Sequence, residues 1–211
     1  GVFRFPPPYD LYLRAAQARG IEVLLILAFG NSLYSGVEKG GPATESERRA
    51  FARYCREVVT RCKPFGVRHY EIWNEPNAST FWKPRPNPED YAKLLEAAYR
   101  SCKEVDPAST VLGCSTSGTD IEFIGRVLAA GGGQFMDAVS FHPYCQPLPP
   151  EKKLLTDFAK LKSIAPGKPL WITEIGYPTY RGATGVDEDT QADYLVRTYL
   201  PSSRISTSKR S

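Results

Sequence analysis

The feature that most narrows the fold is a regular alternation of short apolar runs with amphipathic segments. Residues 21–29 hold Val23-Leu24-Leu25-Ile26-Leu27, a continuous apolar run of the kind a parallel strand shows when both faces are covered. Residues 67–73, 110–114, 136–141 and 170–173 repeat that character in shorter form. Between the runs, apolar residues recur at helical spacing. Residues 9–18 place Leu11, Ala15 and Ala18 on one face, with Gly20 following as a stop signal. Thr44 and Glu47 form a capping box ahead of Phe51, Cys55, Val58 and Cys62. Asn87-Pro88 supplies a cap and first turn for Tyr91, Leu94, Leu95, Ala98, Cys102 and Val105. Three more helices are expected: 121–130 (capped by Thr119 with Glu122), 154–164, and 187–199 with Ala192, Leu195, Val196 and Tyr199 inward. Strand and helix alternate at roughly 35-residue intervals, which means βα units with right-handed crossovers.

The expectation is therefore an α/β fold with about five parallel strands and six helices. An open doubly wound sheet and part of a (β/α)8 barrel both satisfy this pattern. At 211 residues the chain suits one domain with a real core, read as residues 1–200. Residues 201–211 form a polar tail with no packing pattern.

Charge and cysteine content exclude several classes. The net charge of +4 is spread along the chain, without the basic block of a nucleic-acid surface, so no nucleic-acid partner is expected. No apolar run approaches the roughly 20 residues that span a bilayer, and no membrane partner is expected. Five cysteines, an odd number, show no CxxC spacing. Cys55 and Cys62, about 10 Å apart along one helix, cannot bridge. Free thiols favour a reducing, cytoplasmic compartment.

Two apolar runs stop at a glutamate followed by proline: Glu71-Ile72-Trp73-Asn74-Glu75-Pro76-Asn77 and Pro169-Leu170-Trp171-Ile172-Thr173-Glu174-Ile175-Gly176-Tyr177-Pro178. Parallel α/β proteins gather function at the carboxyl ends of their strands. Two carboxylates delivered there suit glycosidic cleavage, one protonating the leaving oxygen and the other ionised opposite the anomeric carbon. A single glutamate at a strand end more often pairs with an arginine, so the pairing of the motifs carries the reading.

Ile72-Trp73-Asn74-Glu75-Pro76-Asn77, His142-Pro143-Tyr144 and Trp171-Ile172-Thr173-Glu174-Ile175-Gly176 resemble the retaining glycoside hydrolases of clan A, and among them the family 39 type, with its β-xylosidases and bacterial endoglycosidases. The resemblance runs from about residue 1 to residue 200. It implies a (β/α)8 barrel, incomplete here, lacking strands one, two and eight. Those strands would bring an arginine near the nucleophile and an aromatic floor for the sugar. Glu75 then matches the acid/base, Glu174 the nucleophile, and Asn74 the residue that binds the sugar 2-hydroxyl. His142 and Tyr144 match residues that position substrate and nucleophile. The substrate class implied is an oligo- or polysaccharide, or an aryl or alkyl glycoside. Neither cofactor nor metal is implied, and family precedent also allows secretion.

Further substrate-binding candidates are Trp82, as a sugar-stacking platform or a loop anchor, and Tyr177 and Asn31 at strand tops. Trp73, Trp171 and His69 read as structural, His69 as a satisfied core histidine. A metal held by His142, Glu75 and Glu174 lacks the usual ligand spacing. Asn77-Ala78-Ser79 is a formal glycosylation sequon whose place beside the cleft argues against use. An incomplete barrel leaves open edges and a wet inner face, so a homo-oligomer covering that side is expected. The alternative to an enzyme is a catalytically weak carbohydrate-binding remnant.

Overall fold

The computed structural model describes residues 3–35 and 40–205. Five strands, β1 (Leu24–Leu27), β2 (His69–Ile72), β3 (Thr110–Ser117), β4 (Ala138–His142) and β5 (Leu170–Ile172), form one sheet in chain order. Every pairing is parallel. Between and around them lie α1 (Pro8–Gln17), α2 (Ser32–Ser35), α3 (Glu45–Cys62), α4 (Pro88–Val105), α5 (Ile121–Ala129), α6 (Leu154–Ile164) and α7 (Glu188–Ile205). The consecutive order 1-2-3-4-5 without a reversal is that of a barrel wall and lacks the switch point of a doubly wound sheet. The α/β expectation holds, with one more helix than expected among the described residues: the single turn α2.

Period-two alternation divides each strand between two faces. Tyr70, Ile72, Val111, Val139 and Phe141 join the main core with Phe51, Cys55, Leu94, Leu95, Ala98 and Leu161 from the helices. His69 and Glu71 of β2, Ser140 and His142 of β4, and Trp171 of β5 alternate with them and take the concave face. The helices start where the sequence says they should. The Thr44 hydroxyl accepts from Glu47 N at 3.3 Å and the Glu47 carboxylate from Thr44 N at 2.7 Å. Asn87 Oδ1 accepts from Asp90 N at 3.0 Å.

Several expectations are corrected. Helix α5 is capped by Asp120, whose carboxylate accepts from Phe123 N at 2.9 Å; being one residue nearer, it preempts Thr119. Helix α1 buries Leu13, and Leu11 is 67% exposed, because the helix is held through Arg14 over the Phe65 ring and Asp10 on Arg61. In α7, Tyr194 packs on Tyr177 and Arg197 pairs with Glu151. That rotation buries Thr198 and leaves Val196 and Tyr199 outside. The α7 backbone stays helical to Ile205; the rest of the expected tail lies outside the described residues. Strand β1 is not covered on both faces, since Ile26 is 42% exposed on the concave side at the sheet edge. All five cysteines are free. Among the described residues no helix is long and apolar enough to cross a membrane.

One buried hydroxyl governs how β2 and β3 part. Their register ends at Glu71 with Leu112. Beyond it, the Tyr91 hydroxyl of α4 donates to Ile72 O at 2.8 Å and accepts from Cys114 N at 2.9 Å. The helix thus satisfies backbone groups that the diverging strands leave behind. Tyr91→Phe removes that bridge with almost no change in shape and is expected to destabilise the fold by about 1–3 kcal/mol, read from urea unfolding.

Candidate active site

Beyond Ile72 the β2 chain turns sharply. Trp73 and Glu75 have φ of 71° and 46°, and Cys114 and Ser115 at the register shift inside β3 have 83° and 38°. Non-glycine residues in this region cost about 1–3 kcal/mol each and persist only where surrounding bonds over-determine them. Here those bonds are Trp73 N to Leu27 O (3.0 Å), Glu75 N to Ser115 O (2.9 Å) and the Ser115 hydroxyl to Trp73 O (3.2 Å). The loop that follows is fastened by Asn77, which donates to Ser117 O and to Asp120 Oδ2, both at 3.0 Å, and accepts from Ser117 N at 2.8 Å. With its amide so engaged, the Asn77 sequon is a poor glycosylation acceptor.

These turns bring Glu75 to Glu174 and His142. His142 is fully buried, with Nδ1 3.2 Å from Glu75 Oε1 and 3.7 Å from Glu174 Oε2. One oxygen of each carboxylate and the imidazole nitrogen all lie within 4.8 Å of one another. The Tyr144 hydroxyl donates to Glu174 Oε2 at 3.2 Å. Burial, and next the neighbouring Glu174, push the Tyr144 phenol up, so it stays a donor. Side-chain exposure is 14% for Glu75 and 35% for Glu174; Glu174, with Tyr144, Trp171 and Thr173, lines a groove of about 1050 Å³ along β5. Asn74, half-buried beside Glu75, makes no side-chain hydrogen bond among the described residues.

The remaining candidates do not join this cluster. Trp82 is 2% exposed, edge-on to Trp73 and Tyr91, and a β-carbon at Gly41 would lie 2.0 Å from its ring. It offers no face to a sugar and anchors the loop. Tyr177 is buried too, its ring on Tyr194 and its hydroxyl 3.4 Å from Cys145 Sγ. Asn31 faces a different hollow, along β1, where its Oδ1 accepts from Leu33 N at 2.9 Å and starts α2. His69 is not satisfied as expected: its buried Nδ1 has no partner, and the ring packs on Trp171 at 5.2 Å.

Two residues that sequence reasoning left unassigned lie directly under the pair. Glu71 is 0% exposed, and its Oε1 accepts from the Thr173 hydroxyl at 2.7 Å. Burial pushes its carboxyl up, against the opposing pull of the nearby Ser140 hydroxyl, the Thr173 hydrogen bond and nearby His142. A signal existed: Glu71 is a carboxylate inside an otherwise apolar strand, which only a partnered group tolerates.

The three converging ligand atoms could also hold a divalent ion. A tetrahedral site with bonds of about 2.0–2.1 Å has ligand–ligand edges of about 3.4 Å, between the two histidine–carboxylate distances here. The sequence spacing gives no hint of this convergence.

The fold, five strands of an incomplete (β/α)8 barrel, is that of glycoside hydrolases. In particular, the chain resembles glycoside hydrolase family 39. No family model matches it. It is 39% identical over 85 residues to a beta-xylosidase of Geobacillus stearothermophilus, a match covering 39% of this chain and 17% of that protein. A family 39 glycoside hydrolase from Bacteroides cellulosilyticus WH2 superposes with a TM-score of 0.76 at 28% identity, over 99% of this chain and 46% of its own. A family 39 beta-xylosidase from Caulobacter crescentus shares the fold, with a TM-score of 0.66 at 23% identity over 91% of this chain and 45% of its own. The chain therefore spans less than half the length of these solved relatives.

Two outcomes follow from the buried groups. Trp82→Ala is expected to cost about 3–5 kcal/mol of stability in urea unfolding, whereas a solvent-facing sugar platform would cost little. The second concerns pH. Because folding raises the Glu71 pKa, the native state holds that proton to higher pH than the unfolded chain. Glu71 therefore lowers stability as pH rises from the ordinary glutamate range, about 4.3, through its folded pKa. Glu71→Gln should flatten that decline in melting temperature measured against pH.

Proposed function

We propose that the chain carries the catalytic pair of a retaining β-glycosidase, with Glu174 as nucleophile and Glu75 as acid/base. The substrate class it best suits is a β-xyloside or a related β-linked saccharide or aryl glycoside, after the relatives described above. The observation that supports this reading is the gathering of Glu75, His142 and Glu174 within 4.8 Å. Retaining enzymes keep their carboxyl groups about 5–5.5 Å apart, too close for a water to sit between nucleophile and sugar.

In the first step Glu174 Oε attacks the anomeric carbon while Glu75 gives its proton to the departing oxygen. Tyr144 holds Glu174 Oε2, which fixes the direction of attack. Asn74 is placed next to Glu75 to bond the 2-hydroxyl, a contact that strengthens as the ring flattens. Once Glu174 is esterified its charge is gone, and the neighbouring carboxyl loses its proton more readily. Glu75 then takes a proton from water, which attacks the same carbon and releases Glu174. His142 Nδ1, 3.2 Å from Glu75 Oε1, keeps that carboxylate oriented through both steps.

We also propose that residues 1–200 act as one unit and that a second copy covers the open side. Strands β1 and β5 are the sheet edges, and Ile26, Phe29, Leu33 and Tyr34 are exposed beside β1. Bare strand edges and apolar surface of this kind favour association. Size-exclusion chromatography at micromolar concentration should show a dimer or larger; a clean monomer contradicts this part.

The catalytic roles are tested by leaving-group chemistry. Glu174→Gln should abolish turnover of every aryl glycoside. Glu75→Gln should lose about 10²–10⁴-fold on a poor leaving group and spare the first step on a dinitrophenyl glycoside. Tyr144→Phe should lower kcat by about 10- to 100-fold, as expected for losing a hydrogen bond to a charged group. Wild-type rates in both glutamate variants would place the chemistry elsewhere. EDTA should leave the rate unchanged; a loss restored by zinc would instead favour metal-assisted hydrolysis at Glu75, His142 and Glu174.

A further inference from the structure

The two strands that deliver the carboxylates are not neighbours. Strands β3 and β4 separate β2 from β5 in the sheet, so the ladder sets the spacing of Glu75 and Glu174 only through three successive pairings. The β3–β4 pairing itself shifts register between Cys114 and Thr116. A parallel ladder with such a fault is a loose ruler for a gap that chemistry needs held to a fraction of an ångström. Across the concave face, however, the Thr173 hydroxyl donates to Glu71 Oε1 at 2.7 Å. One end of this bond is the residue immediately before Glu174. The other is on β2, one turn of backbone ahead of Glu75. Beneath it, His69 of β2 rests against Trp171 of β5, ring centres 5.2 Å apart.

We propose that Glu71 and Thr173 are positioning residues whose cross-barrel hydrogen bond sets the separation of Glu75 and Glu174; the proposal rests on the glycosidase reading of that pair. A buried carboxylate is a poor choice for stability alone, because desolvation costs more than a neutral pair of the same shape. Glu71 carries a further cost, since its Oε2 has no hydrogen-bond partner. What the side chain supplies is a short hydrogen bond, 2.7 Å, with a narrow range of geometry. Glu71 is wholly buried, and although Thr173 lies in the wall of the groove its hydroxyl is turned to Glu71. They act through Glu174 and Glu75 and not on the sugar.

Thr173→Val keeps the shape of the side chain and removes the donor. It should lower kcat about 10- to 100-fold, in line with a misplacement of an ångström or less, with KM little changed. Thr173→Ser, which restores the hydroxyl, should recover most of kcat, and a role in packing alone predicts the opposite order. Glu71→Gln keeps an acceptor for Thr173 and should retain more kcat than Glu71→Leu, which serves if the valine variant folds poorly. Wild-type kcat in Thr173→Val with the glutamate variants inactive overturns the proposal and leaves the glycosidase reading intact. Crystal structures of wild type and Thr173→Val keep the two failures apart. A wider carboxylate gap in the variant upholds the tie even if no glycoside is cleaved, and an unchanged gap overturns it.

Discussion

Two carboxylates repel one another, yet Glu75 and Glu174 both lie against one imidazole, 3.2 and 3.7 Å from His142 Nδ1, over a rigid floor. His142 is the group they share. It is buried to the last atom, at the end of a central strand, with one ring nitrogen facing both acids. A histidine on the surface would swing; this one closes β4 and is paired with Ser117 of β3. Tyr144, two residues on, donates to Glu174 Oε2 and gives that carboxylate a second constraint. The site is therefore organised from strand β4 outward.

The rest of the molecule serves that placement. Helices α3, α4 and α5 bury the convex side of the sheet, and from α4 the Tyr91 hydroxyl reaches through to hold the ends of β2 and β3 as they part. That parting allows the left-handed turns at Trp73 and Glu75, after which the Glu75 carboxylate meets His142. Asn77 then closes the loop onto β3. The strained Trp73 and the Asn77 closure both lie within two residues of Glu75, and such distortion persists only where surrounding bonds hold it.

How much of this could be read from the chain depends on what each residue must do locally. The βα alternation was legible because strand and helix have different apolar periods, and the Thr44 and Asn87 caps because their chemistry is local. Glu75, Glu174, His142 and Tyr144 were legible through their motifs, and all four meet. Tyr177 was misplaced, and the choice between platform and anchor at Trp82 stayed open, because exposure is a tertiary property: nothing local records that Gly41 and Trp73 cover one ring and Tyr194 the other. The inward faces of α1 and α7 were missed for a similar reason. At the edges of the sheet, ion pairs such as Arg197 with Glu151 outweigh a weak apolar stripe. Glu71 stood out as a carboxylate inside an apolar strand, but its partner, Thr173, is remote in sequence and unremarkable by itself.

The most direct test of the account is to trap the covalent intermediate. A 2-deoxy-2-fluoro β-glycoside with an activated leaving group slows the second step of a retaining enzyme, because the fluorine destabilises the positive charge at the anomeric carbon. Intact-mass and peptide mass spectrometry of the treated protein should show one fluoroglycosyl unit per chain, attached to Glu174, and none on Glu174→Gln. A label on any other residue, or turnover with inversion of the anomeric centre and no label, would contradict the assignment of Glu174 as nucleophile.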